Sequence, residues 1–127
     1  MNRNLITNAL VGLYVFTSLF IMAIINGLTH AKWFDSGLDI IYGVVLIYLI
    51  VAIYFASEKI KNKSINCVIK GFLIVLVSRL VQITLQEIHL KTNYALSILP
   101  WSWAFADLIM VFGFFCVCRG LWGVAND

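Results

Sequence analysis

The sequence predicts an all-α integral membrane protein: a four-helix bundle, up-down-up-down, with both termini cytoplasmic. Three observations predict it. Hydrophobic residues make up 62% of the 127 positions and charged ones only 12%, about half the charged share of a soluble domain. A soluble chain this short has too small a core to hide so much apolar surface. The apolar residues also gather into four runs, each near the ~20 residues that cross ~30 Å of hydrocarbon. Finally, the lysines and arginines fall mostly on one side of those runs. The length suits a single transmembrane domain over residues 1–127.

The first run, Leu5 to Thr29, contains no acidic or basic residue. No small-residue cleavage pattern follows it, so it reads as a retained anchor and not a signal peptide. The second span is expected over about Leu38 to Ala56, the third over Val68 to His89 and the fourth over Trp101 to Trp122. Helices are required because lipid offers backbone amides no partners, and four strands cannot close a barrel. The only proline, Pro100, marks the start of the fourth span, where its missing N–H costs nothing. Short connections make successive helices antiparallel neighbours.

Orientation follows from charge. Arg3, Lys59, Lys61, Lys63, Lys70 and Arg119 lie on one side, with Lys32 and Lys91 on the other. The Glu58–Lys63 loop and both termini are therefore expected in the cytoplasm, and the loops around Trp33 and Asn93 outside. Trp33, Trp101 and Trp103 would form an outer aromatic belt, with Trp122 at the inner interface. Cys67, Cys116 and Cys118 fall on the reducing side and read as small apolar helix residues. Gly12, Gly43 and Gly113 allow close helix approach.

The chemistry-bearing residues concentrate in the outer half. Arg79, Gln82, Gln86 and His89 recur at spacings of three, four and three, one narrow stripe of the third helix. A charge mid-span costs at least ~2.5 kcal/mol, so Arg79 must face inward and find partners. Asp107 is the expected partner, within reach of Arg79 or Gln82. Asn26 and His30 stand four apart near the outer end of the first span, Asp39 begins the second and Glu87 ends the third. The Arg79–Asp107 pair is either a structural ion pair that sets helix register or part of a ligand-binding or proton-linked site. Gln82, Gln86 and Asn26 around it favour a site, because register alone needs fewer polar groups.

The two histidines, His30 and His89, would lie at similar depth on spans that are diagonal in a simple square. Diagonal histidines facing a bundle interior can clamp a b-type haem as two axial ligands. Met22, Met110, Phe20 and Phe105 would line the porphyrin, and Lys32, Lys91 or Arg79 would meet its propionates. The competing reading makes both histidines interfacial polar residues at helix ends. Zinc is disfavoured by the shortage of further ligands. No GxSxG, HExxH or P-loop pattern occurs, so no enzymatic activity is expected. The small, scattered net charge of +3 does not indicate nucleic-acid binding.

From Gly71 to Gly120 the chain resembles the last two helices of small membrane input domains that precede bacterial diguanylate cyclase (GGDEF) domains. The likeness lies in the Gly71-Phe-Leu-Ile-Val-Leu-Val-Ser78 run, Glu87 near the outer end, Asp107 early in the next helix, and the Gly113…Arg119-Gly-Leu-Trp122 exit. It covers about 40% of the chain. The resemblance implies a sensor in the bacterial inner membrane, acting as a homodimer, whose last helix signals to a cytoplasmic output domain. No output domain follows Asp127, so the expectation is either a sensor domain taken alone or a complete protein of another kind. The rival expectation is a stand-alone membrane protein acting by contact, of immunity, exclusion or holin-like type.

Overall fold

The computed structural model describes residues 3–60, 62–92 and 99–126. The side chains of Lys91 and Pro100 and the loop around Asn93 lie outside what it describes. Four helices are present: α1 (Arg3–Asn26), α2 (Trp33–Ile60), α3 (Ser64–Thr92) and α4 (Leu99–Ala125). All four are long and apolar enough to cross a membrane. Among the described residues there is no strand.

The first span ends three residues earlier than its hydropathy suggests. Gly27 has φ +71° and donates its N–H to Ala23 O at 3.0 Å, a left-handed C-terminal stop that glycine adopts without strain. Leu28 and Thr29 are apolar enough to hide that stop in a hydropathy reading. His30 therefore lies in the turn, off the α1 face that carries Asn26. The second helix starts earlier than expected, at Trp33, and continues to Ile60.

The helices do not form a simple square. α1, α2 and α3 pack against one another, and α4 packs chiefly on α3, through the most extensive contact among the described helices. Spans one and three are thus in contact and not diagonal. The α3–α4 seam is built from glycines. A Cβ on Gly71 would stand 2.5 Å from Gly113 O and 2.7 Å from Val117 N, and one on Gly120 would stand 2.7 Å from Val68 N. Backbone meets backbone there, and the partners run in opposite order along the two helices, which are antiparallel. Gly43 has a different purpose: it receives the ring of Tyr14, whose hydroxyl donates to Asp39 O at 3.1 Å. Gly12, by contrast, faces nothing within 4 Å, so it supports no helix approach within the chain.

This difference is measurable. Gly71→Ala forces two backbones apart and should cost about 1–3 kcal/mol, the penalty of overpacking. Gly12→Ala should be neutral or stabilise by up to about 1 kcal/mol through helix propensity. Thermal melting of the two variants in detergent distinguishes them.

Candidate functional site: a polar network across four helices

Arg79 projects from α3 toward the gap between α2 and α4. Its Nη1 donates to Gln82 Oε1 at 2.7 Å and to Asp39 Oδ1 at 3.2 Å. Its Nη2 lies against the sulfur of Met110 on α4. Its guanidinium carbon sits 4.3 Å from the Tyr42 ring centroid, a cation–π contact of about 0.5–2 kcal/mol. The ion-pair partner is therefore Asp39 on α2, not Asp107. Asp107 is exposed on α4 and reaches the network indirectly, accepting from Gln82 Nε2 at 3.3 Å. Gln82 thus bridges Arg79 and Asp107. The expected contact of Asp107 with the α3 stripe exists, but through the amide and not the guanidinium.

The arginine–aspartate pair is only half used. Its side chains retain 14% and 10% of their exposure. A bidentate pair would engage both carboxylate oxygens with the guanidinium fork. Here Arg79 Nε is buried with no hydrogen-bond partner, and Asp39 Oδ2 has none within hydrogen-bond distance, with the Gln86 side chain a further polar group beside that carboxylate. Buried polar atoms are nearly always satisfied, so each exception needs a reason.

Among the described residues, the most deeply buried charged one is an acid that the sequence marks only as a helix-end residue. Glu87 is 0% exposed. Its Oε2 accepts from Asn26 Nδ2 at 2.8 Å. Its Oε1 accepts from Lys32 N and from Ser36 Oγ, each at 2.9 Å. Asn26 Nδ2 also donates to the Glu87 backbone carbonyl at 2.7 Å. One carboxylate so ties the end of α1, the following turn and the start of α2 to α3. Lys32 N lies just before α2, where the partial positive charge of a helix N-terminus favours an anion. The Lys32 ammonium is engaged elsewhere, 3.0 Å from Asp35. Gln86 joins the network through Ser36 Oγ, 3.3 Å from its Oε1. The rule that flags Arg79, a charge inside a membrane span, applies to Glu87 equally and would have found it.

The histidines do not form a clamp. His30 is exposed in the turn, and His89 is half-buried on α3 with its Nδ1 buried and unpartnered. Between them α1 and α3 touch directly, through the 2.7 Å bond from Asn26 to the Glu87 carbonyl. A porphyrin plate needs those helices held apart at that level. Phe20 and Phe105, expected to line it, are both exposed. The residues present therefore do not fit a bis-histidine haem, and Lys32 is committed to Asp35 and not to a propionate. Among the described residues no three His, Cys, Asp or Glu side chains gather as metal ligands.

Fold and network together define a multi-pass helical membrane protein with a buried charged cluster. Comparison with protein families, curated proteins and solved structures returned no match.

Proposed function

We propose that this chain is a membrane-embedded sensor or binding module whose ligand-responsive site is the Asp39–Arg79–Gln82 cluster. Helices would run up-down-up-down with both termini in the cytoplasm, placing the cluster in the outer half of the bilayer. The lysine and arginine distribution supports that orientation. The observation that carries the functional reading is the pair of unpartnered buried atoms, Asp39 Oδ2 and Arg79 Nε. A pair kept only for register gains by completing its hydrogen bonds. This one leaves the Arg79 Nε donor unmet, and Asp39 Oδ2 with no hydrogen bond tighter than a loose approach of the Gln86 amide, beside a pliable neighbour, the Met110 thioether. Met110 sits on α4, the helix that would carry a change at Arg79 toward a cytoplasmic output domain.

The test fuses a dimerisation-dependent reporter enzyme after Asp127. Arg79→Lys and Asp39→Asn keep size and polarity but alter the pair, and each should change reporter output several-fold at equal membrane abundance. Output indifferent to both changes overturns the sensor reading.

A second reading, a protein that acts by helix contact, draws on Asp107. An exposed carboxylate within a membrane-spanning helix is costly in lipid, and a partner helix would cover it. Under that reading Asp107→Leu abolishes function while Arg79→Lys leaves it intact.

A further inference from the structure

α1 is held to its neighbours by few residues. Its buried positions are Thr7, Tyr14, Ser18 and Met22, and between Thr7 and Tyr14 only Val11 packs, partly buried, against the core. Over that stretch two cavities open beside the helix. One, of about 210 Å3, is walled by Leu10 and Leu13 of α1, Ile50 of α2 and Leu73 and Leu76 of α3. The other, of about 400 Å3, continues toward the N-terminal end past Ile6. They share Leu10 and Ile50 and so adjoin, and we take them together as one groove. Leu13 at its rim is 63% exposed.

We infer that this groove binds one acyl chain of a phospholipid from the leaflet at the N-terminal end. Water does not fill apolar cavities, and a flexible hydrocarbon chain restores the dispersion contacts that the gap forfeits. Length selects the occupant. Ile6 to Thr17 spans roughly 16 Å of helix at ~1.5 Å per residue, and one leaflet contributes half of ~30 Å of hydrocarbon. Charge complementarity agrees. Arg3 lines a separate, more polar pocket with Asn4, Thr7 and Asn8, which adjoins the groove at Val51 and offers a guanidinium to a lipid phosphate beside the groove's N-terminal end. Tyr14 lines the groove, and its hydroxyl holds the Asp39 carbonyl. Occupancy of the groove therefore bears directly on the helix that presents Asp39 to Arg79. The inference needs only the cavity and the bilayer, and does not depend on the sensor reading.

Native mass spectrometry tests it. The full chain is reconstituted into nanodiscs of equimolar dioleoyl-phosphatidylglycerol and dioleoyl-phosphatidylcholine, then released into mild detergent. Wild type should retain one phospholipid per chain. Leu13→Trp, which plugs the groove from its rim, should lose that adduct. Leu108→Trp, on the exposed face of α4, should keep it. Arg3→Ala should weaken retention about tenfold and erase any preference for phosphatidylglycerol. No adduct in wild type, equal retention in Leu13→Trp, or a free fatty acid in place of a phospholipid would each overturn the assignment. Circular dichroism confirms that every variant is helical.

Discussion

Glu87→Ala is expected to be among the most destabilising single substitutions in the chain. Removing the carboxylate deprives Asn26 Nδ2, Lys32 N and Ser36 Oγ of their acceptor at a site with no exposure to water. Each stranded donor costs about 1–3 kcal/mol, and hydrogen bonds to a charged group are worth more than neutral ones. The combined loss should reach about 3–5 kcal/mol, which lowers the melting temperature by about 10 °C or more. Glu87→Gln keeps the shape but turns an amide donor toward another donor, either the Asn26 amide or the Lys32 N–H. It should fall between wild type and Glu87→Ala. Glu58→Ala, an exposed acid at the other end of α2, serves as control. Thermal melting in detergent that ranks Glu87→Ala with Glu58→Ala contradicts this account of the network.

Arg79→Ala should rank beside it. The change leaves Asp39, only 7% exposed, without its cation, and breaking a buried pair from one side costs about 3–5 kcal/mol. Removing the stranded acid as well should recover much of that, so Arg79→Ala/Asp39→Ala melts higher than Arg79→Ala alone. The coupling between residues 79 and 39 should exceed ~1 kcal/mol, whereas that between 79 and 107 should stay within ~0.5 kcal/mol, the scatter of independent sites. The Gln82 amide stands between Arg79 and Asp107 and the two make no direct bond. Reversed couplings would return the ion pair to the α3–α4 seam.

That pairing illustrates what one sequence discloses. Four apolar runs and one charged stripe are visible because lipid imposes a length and a period. Arg79, Gln82 and Gln86 do meet other polar groups, as their spacing demands. Which carboxylate Arg79 meets is set by how α3 shares its surface between α2 and α4, and two acids at similar depth give periodicity nothing to choose between. The packing order is hidden for a related reason. Gly71 and Gly120 draw α4 against α3, but a glycine in a sequence does not say whose backbone approaches it. Gly43 and Gly113 receive neighbours and Gly12 receives none. The haem expectation rests on spans one and three being diagonal, and the contact of α1 and α3 replaces that arrangement. The sequence marks Glu87 only as a helix-end acid, because a charge near a span end resembles an interfacial residue, whereas the turn after Gly27 folds back over it.

We propose that the Asp39–Arg79–Gln82 cluster serves response more than stability. The direct test replaces all three at once with apolar residues of similar volume, Asp39→Leu/Arg79→Met/Gln82→Leu, in the reporter fusion, and reads melting temperature and output together. Buried ion pairs exchanged for apolar sets are often neutral or stabilising. The expected result is a melting temperature equal to or above wild type, with reporter output shifted several-fold from wild type as in Arg79→Lys and Asp39→Asn. A triple variant that melts well below wild type, or one that keeps the wild-type response, would contradict it.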